Sequence, residues 1–389
     1  MPDTMRSLYK IVHTTCHTGW GGLEKRIFNE SVWMMKKGHQ VVIVAPRDTP
    51  LYARAKEYGF QVYGISFNRF GMVKDYNRLK KIFTSEQPHI VNTHGNADSK
   101  IALKAALKTE VPCRILSRHI SAHVRNTWYN RQIYKKLSHY IFTTAGYTTR
   151  HLQKVFKLNS MEIFSMPSGI LEPETLMPKD EARKNLALEF DLDPDTRFLG
   201  FSGRISKDKG VGTILKAFKL IKSDIPHHIA IVGHGTPEYL AELTTLAQDL
   251  NIGDRVHFAG FKEDVWTYYR AFDCKILASR NKNGIPFEGV PQALLEAMYC
   301  SCPVIGSKSG GITDIIDHGK TGLLFDPQKP DELADMIIKT LNQEAATLER
   351  VHQAREIVKK SHTIDAMGRN IIRIYRLHQV KLEKHNHHR

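Results

Sequence analysis

The 389-residue sequence has no run approaching the ~18 consecutive apolar residues of a membrane-spanning helix, so no helical membrane span is expected. Its first stretch, MPDTMRSLYKIVHTT, lacks a long apolar segment of the secretory type, and no secretory signal is expected there. Cysteine is sparse: Cys16, Cys113, Cys274, Cys300 and Cys302 are too scattered or too close for a disulfide framework, which points to reduced thiols in a cytosolic protein. The pair in CSC has no second pair at ligand spacing and runs into an apolar strand pattern, so it is assigned to core packing. The Asp-x-Asp of DLDPD lies in a turn-rich segment, where turn or helix-cap roles account for it. No other cluster of His, Cys, Asp or Glu has metal spacing, so neither a catalytic metal nor a cofactor is expected. Two nucleotide signatures are also missing. TGWGGLEKRIF does not space its glycines as G-x-G-x-x-G, and DHGKTG lacks the full P-loop spacing and precedes a strand. A dinucleotide-dependent oxidoreductase and a P-loop triphosphatase are thereby disfavoured.

Positive charge is abundant and uneven. Residues 1–170 hold 26 Lys and Arg against 10 Asp and Glu, while the remainder balances at 30 of each. Within that remainder, residues 351–389 hold nine basic and three acidic side chains. A basic lobe attracts polyanions: nucleic acid, an anionic membrane surface or a phosphorylated substrate.

Apolar runs of strand length alternate with helical patterns. LYKIVHTT, QVVIVAP, QVYGISF, HIVNTHG, CRILSRH and YIFTTAG read as a first strand series. RFLGFSGR, HHIAIVGHG, RVHFAGF, CKILASR and CPVIGSKSG read as a second. Near-continuous apolar strands separated by helices imply βαβ units and parallel sheets covered on both faces. A Pro- and Asp-rich pause after residue 167 separates the two series. The expected organisation is a first domain over 1–170, a second over 171–364, and a basic helix over 365–389 that returns to the first domain. Two doubly wound domains of similar size make a deep cleft between the carboxyl ends of their strands, where such folds bind ligands.

The chemistry-bearing residues fall at those strand ends. After the first strand of the second domain, FSGRISKDKGVG holds Arg204 and Lys209 in a glycine-flanked loop before a helix, an arrangement suited to a diphosphate. Gly21 and Gly22, after the first strand of the chain, let backbone approach a ligand closely. Gly233 in IVGHG is a further strand-end glycine, and the backbone around Gly260 and Phe261 can line a slot for a nucleobase. PFEGVPQALLEAM places Glu288 in a loop and Glu296 inside the following helix, which its Pro291 predicts to begin near Val290.

In this order, Glu288 and Glu296 with seven residues between them, GR…KG, VGHG, GF…D…YY and PVIGSKSGGITDII…G.TGLLF resemble the family-4 retaining glycosyltransferases of GT-B fold, over nearly the whole chain. ILSRHISAHVRN resembles a Thr-Arg-His stretch of the bacterial lipopolysaccharide and surface-polysaccharide members, with Ser117 where threonine is common. Val290-Pro291 replaces the Phe-Gly of many members.

The resemblance implies that Glu296 holds the ribose of a sugar nucleotide and that Glu288, with Gly289 and Val290, faces the donor sugar. It implies that Arg204 and Lys209 neutralise the leaving diphosphate, that Gly21 and Gly22 approach it, and that His119 lies near the reacting sugar. His94, Arg118 and Arg125 are assigned to the acceptor side. The expected activity is sugar transfer from a nucleoside-diphosphate sugar to a lipopolysaccharide core or other lipid-linked glycan. The expected location is the cytoplasm, peripheral to the inner face of the membrane, with RNTWYNRQIYKKLSHY (125–140) offering aromatic and basic side chains to anionic lipid. A core-packed helix with a solvated basic face is the competing account of that segment. A sugar-nucleotide 2-epimerase or a transferase to a soluble acceptor is the alternative reading. A nucleic-acid-binding protein ranks last, since it would leave the glycine loops without a role.

Overall fold

The computed structural model describes residues 8–68, 70–119, 124–281 and 288–387. Residues 120–123 of ILSRHISAHVRN and residues 282–287 preceding Glu288 thus lie outside the described residues. The chain divides into two compact units, residues 1–169 with 364–389, and residues 170–363.

The first unit is built on a seven-stranded parallel sheet. Its strands are β1 (Lys10–Thr14), β2 (Gln40–Ala45), β3 (Gln61–Gly64), β4 (Ile90–Thr93), β5 (Cys113–Arg118), β6 (Tyr140–Thr143) and β7 (Ile163–Ser165). The order β3-β2-β1-β4-β5-β6-β7 reverses direction between β1 and β4. Such sheets require apolar residues on both faces, which is why β2 reads QVVIVA with only Gln40 exposed. Short helices start where polar caps occur. Thr49 accepts a hydrogen bond from the Tyr52 backbone N–H (3.3 Å) ahead of the Pro-initiated helix Pro50–Glu57.

The second unit carries a six-stranded parallel sheet of β8 (Phe198–Ser202), β9 (His228–Val232), β10 (Val256–Gly260), β11 (Phe272–Leu277), β12 (Val304–Ser307) and β13 (Leu323–Phe325). Its order, β10-β9-β8-β11-β12-β13, reverses between β8 and β11. Both sheets are therefore doubly wound, and each has one switch point at which loops diverge.

Three local features differ from the sequence reading. The edge strands β7 and β13, absent from the two strand series read above, are only three residues long, too short to show a strand pattern. The helix carrying Glu296 runs Gln292–Tyr299, with Pro291 extended (ψ 117°) at its cap, so it starts two residues later than Pro291 alone predicts. In the 125–140 segment a short helix, Trp128–Gln132, passes into a π-turn, Ile133–Leu137. There Ile133, Tyr134 and Leu137 are buried against Leu116, Ile141 and Phe156, while Trp128 stays 73% exposed. The core-packed account of that segment prevails, because its apolar residues fill the space beside β5 and β6.

The C-terminal helix Ile364–His387 belongs to the first unit. Ile371, Ile374 and Tyr375 join the core formed by Ile11, Ile43 and Phe142. The indole N–H of Trp33, in the helix Gly22–Lys36, donates to Asp365 (3.1 Å), and His378 Nε2 meets the Pro112 carbonyl (2.8 Å). Gly368 lies so close to Trp33 that a Cβ there would meet the ring at 2.4 Å. Backbone and indole are in direct contact, and a rigid indole cannot withdraw. Gly368→Val is expected to lower unfolding stability by about 1–3 kcal/mol through overpacking, read as a reduced urea midpoint. An unchanged midpoint would show that the two helices separate freely.

Candidate active site

In the second unit the loops that carry candidate site residues gather at the carboxyl ends of β8 and β11, the two strands flanking the switch point. Lys209 ends a short 3₁₀ turn after β8, and Gly210 follows it with φ +70°. A Cβ at Gly210 would strike the Ala278 carbonyl at 2.0 Å, so only glycine lets this loop press against the end of β11. That contact brings Lys209 to Glu288. The ammonium donates to both carboxylate oxygens, at 2.7 Å for Oε2 and closer for Oε1, and Ser279 Oγ donates to Oε1 at 3.4 Å. Both partners are largely shielded, with side chains 18% and 10% exposed. The loop of Glu288 is tied down by backbone: its carbonyl accepts from Gly311 N–H (3.0 Å), and a Cβ on Gly311 would collide with Gly289 and Val290.

Glu296 is held by a separate chain of groups. The phenol of Tyr269 donates to Glu296 Oε2 (3.1 Å) and shares a 2.8 Å hydrogen bond with Ser202 Oγ. Burial, reinforced by the Glu296 carboxylate, pushes the Tyr269 phenol well above its ordinary range, so it remains a donor. Beneath Ser202 lies Lys275, fully buried in β11. Its ammonium reaches the Ser202 and Ile276 carbonyls (3.2 and 3.4 Å) and stands 4.7 Å from the Phe201 ring centroid. Burial drags its pKa down to about 7.

Three neighbouring strand ends are joined by glycine backbone. Gly203 N–H donates to Val232 O (2.9 Å) and Gly233 N–H to Gly260 O (2.8 Å). All three glycines have positive φ, and a Cβ at Gly233 would meet Gly203 O at 1.9 Å. Phe261 follows, 63% exposed, with its ring edge-on to His234. Arg204 is 65% exposed and its carboxylate contact is Asp208 at 3.8 Å, not the Lys209–Glu288 pair.

In the first unit, Gly21 is the cap of the helix Gly22–Lys36, and its N–H donates to Glu24 Oε2 (2.7 Å). Both Gly21 and Gly22 are exposed, and a Cβ on Gly22 would meet nothing within 4 Å. His94 and His119, at the ends of β4 and β5, are in direct contact, His94 Nδ1 to His119 Nε2 at 2.9 Å. His13 of β1 adds a third ring, Nδ1 to His94 Nε2 at 2.8 Å. Burial holds all three below the usual histidine range, His13 at about 3, so the rings are neutral at ordinary pH. Arg118 reaches the Tyr134 hydroxyl (3.5 Å). Arg125 is exposed, and among the described residues no contact joins it to His94 or His119.

Sequence reasoning missed Tyr269, Ser202, Lys275, Ser279 and His13. A lysine inside the apolar run CKILAS and a histidine inside KIVHTT were the available signals, since a strand buried on both faces has no room for an idle polar group. It also missed a group formed only by folding: Cys113, His139 and His378 offer ligand atoms within 4.8 Å of one another. Each imidazole nitrogen there already has a protein partner: Arg114 N and Nη2 for His139, Tyr140 OH and Pro112 O for His378. Burial also pushes the Cys113 thiol far up. The cluster fastens the C-terminal helix to β5 and β6.

Comparison with known proteins follows the same division. A family model described as Glycosyl transferases group 1 matches residues 183–361, and one described as Glycosyltransferase Family 4 matches residues 20–170. N-acetyl-alpha-D-glucosaminyl L-malate synthase of Bacillus anthracis is 32% identical over 173 residues, 44% of this chain and 43% of that protein. The chain spans somewhat less than half the length of the first curated relatives it matches. A glycosyltransferase structure from Rickettsia africae superposes with a TM-score of 0.85 at 18% identity, covering 96% of this chain and 99% of that one. The lipopolysaccharide outer core galactosyltransferase WaaB gives 0.73 at 16%, covering 94% and 98%. At such identities these likenesses establish the fold, which is the two-domain α/β GT-B fold.

Lys275 supplies a test of the second-unit geometry. A buried amine with a lowered pKa binds its proton less tightly in the folded chain than in the unfolded one. Stability contributed at this position therefore rises with pH between about 7 and the ordinary lysine value of about 10.4, and the full penalty persists below about 7. Lys275→Met should stabilise the protein by on the order of a few kcal/mol near neutral pH, with a gain that shrinks as pH rises. Urea unfolding of both proteins at about pH 6.5, 8 and 9.5 reads this difference; a constant gap would show that Lys275 is solvated.

Proposed function

We propose that this chain of GT-B fold is a glycosyltransferase that moves a sugar, with retention, from a nucleoside-diphosphate sugar to a lipid-linked glycan of the lipopolysaccharide-core kind. One observation carries the reading: Lys209, Glu288 and the Glu296–Tyr269 pair sit on the loops and helix that follow β8 and β11, beside a sheet's switch point. Breaking the bond between sugar and diphosphate develops an oxocarbenium-like sugar and added negative charge on the departing phosphate. A cation already fixed in a shielded pocket stabilises that charge without reorganising. Lys209 fits this role because Glu288 and the tight Gly210 loop hold it in place before any donor arrives. Glu296, steadied by Tyr269, offers a carboxylate, an acceptor-only group suited to the two ribose hydroxyls. Glu288 then orients the sugar through the acceptor capacity its carboxylate keeps beside Lys209 and is not a glycosidase nucleophile. Arg204, exposed beside Asp208, has the reach to turn onto the diphosphate. With cations supplying the neutralisation, no metal is assigned to the step.

The acceptor assignment rests on the charge of the first unit and on the outer-core acceptor named for WaaB, a protein of the same fold. The first unit holds 32 Lys and Arg against 12 Asp and Glu, a surplus of 20, whereas the second unit has 24 against 28. Phe70, Met72 and Val73 stand 99%, 39% and 76% exposed beside exposed Lys74, Arg78 and Lys81. Apolar side chains ringed by cations suit contact with an anionic lipid surface. No helix among the described residues is long and apolar enough to cross a membrane. Peripheral attachment at the inner face of the cytoplasmic membrane is the placement we assign.

A thermal-shift screen of UDP, GDP, ADP and CMP sugars against the purified protein should single out one base. Glu296→Ala should then weaken that nucleotide roughly tenfold to a hundredfold, the worth of hydrogen bonds to a charged acceptor. Lys209→Ala should cut turnover more than it cuts donor binding. Product formation with donor alone would favour an epimerase, and undiminished nucleotide binding by Glu296→Ala would overturn the assignment of the ribose site.

A further inference from the structure

The three touching histidines of the first unit continue inward to a buried ion pair. His13 Nε2 faces Glu30 Oε1 at 3.9 Å, and Glu30 pairs with Arg26 at 3.6 Å. Arg26 also donates to the Met166 carbonyl. Arg26, Glu30, His13 and His94 are each no more than 4% exposed, while His119 keeps part of its surface accessible at the end of β5. His13 Nε2 and Glu30 Oε1 have no hydrogen-bond partner and are left facing one another.

From this geometry we infer that Arg26, Glu30, His13 and His94 form a one-directional relay that presents His119 with its Nδ1 lone pair outward, as the hydrogen-bond acceptor for a sugar hydroxyl. Burial raises the Glu30 pKa, and the Arg26 guanidinium beside it opposes that rise. Because a guanidinium keeps its proton at any ordinary pH and a buried one needs an anion beside it, Glu30 is assigned as the carboxylate. A carboxylate only accepts. The nitrogen of His13 that faces it therefore carries the hydrogen, because a lone pair there would be repelled. A neutral imidazole has one N–H and one lone pair, and the pKa shifts already described keep all three rings neutral.

The remaining positions follow without freedom. His13 Nδ1 is a lone pair and accepts from His94 Nε2–H. His94 Nδ1 is then a lone pair and accepts from His119 Nε2–H. His119 Nδ1 is left as a lone pair, and it meets no partner among the described residues. Opposite polarity at Glu30 would reverse every step and turn His119 from acceptor into donor. In this scheme Arg26, Glu30, His13 and His94 are positioning residues, and only His119 touches substrate. The sugar hydroxyl as partner rests on the function proposed above; the direction of the relay does not.

The test uses full-length, ligand-free protein labelled with ¹⁵N-histidine, in which long-range proton–nitrogen correlations show which ring nitrogen bears the hydrogen. Loss of signals in His13→Phe, His94→Phe and His119→Phe assigns the three rings. The expected result is Nε2–H on all three in the unsubstituted protein. Glu30→Gln, whose amide can donate to His13 Nε2, should move the hydrogen of His119 to Nδ1. If that variant strands Arg26 and does not fold, the double variant Arg26→Met/Glu30→Gln removes the charge, keeps the donor and is read in the same way. Nδ1–H on His119 in the unsubstituted protein overturns the relay, as does a His119 tautomer indifferent to residue 30. These outcomes are independent of turnover, so a failed relay leaves sugar transfer standing, and failed transfer leaves the relay standing.

Discussion

A parallel sheet sends the carboxyl end of every strand to the same edge, and the chemistry of this protein depends on that constraint. Helices must return the chain to the opposite edge before each new strand, so loops distant in sequence emerge side by side. Lys209 and Glu288 are 79 positions apart yet share an ion pair, and His13, His94 and His119 are joined although they belong to three different strands. In each unit the switch in strand order is flanked by the strand ends that carry the candidate polar groups, charged in the second unit and neutral imidazoles in the first. What the loops add is closeness of approach, and in the second unit glycine supplies it. Gly210 permits contact with β11, and Gly203, Gly233 and Gly260 knit three strand ends together backbone to backbone.

The fold is legible in the sequence because strands buried on both faces must be apolar throughout, and the helices between them alternate on a different period. Glu288 and Glu296 stand out for a similar reason, since a Gly-Val-Pro turn between two carboxylates restricts where each can point. The supporting groups are less legible. Tyr269 reads as one aromatic among several in WTYYRAF, and nothing local distinguishes the phenol that reaches Glu296 from its neighbour Tyr268, which reaches Glu189 instead (2.5 Å). The 125–140 segment misleads in the other direction. Its mixture of aromatic and basic residues fits a lipid-facing helix or a core helix equally, and only the neighbouring strands decide that Ile133, Tyr134 and Leu137 turn inward.

The buried charges show where stability has been given up. Lys275 could be replaced by an aliphatic residue between its strand neighbours Cys274 and Ile276, and the Arg26–Glu30 pair could be replaced by a packed hydrophobic pair of similar volume. Such replacements of buried ionic groups are commonly neutral or stabilising. Both charged sites nevertheless touch groups near strand ends: Lys275 reaches the Ser202 carbonyl at the end of β8, and Glu30, from the helix Gly22–Lys36, faces His13 of β1. Lys275 underlies the Ser202–Tyr269–Glu296 chain, and Glu30 underlies the histidines.

That coincidence has a physical reading. An exposed ion pair is screened by solvent and holds nothing in place, whereas a buried one projects its field through a medium that cannot reorient to cancel it. A carboxylate near the surface needs a donor that stays protonated, and Tyr269, a phenol that burial and the Glu296 carboxylate push above its ordinary range, is one at any ordinary pH. A neutral imidazole near the surface has two tautomers of similar energy, and choosing one requires a fixed charge at the far end of its hydrogen-bond chain. In both units, then, the desolvation cost sits below the site and the preorganisation appears at its rim. Each unit uses the interior of its own sheet to decide which hydrogen-bonding face its exposed residue shows.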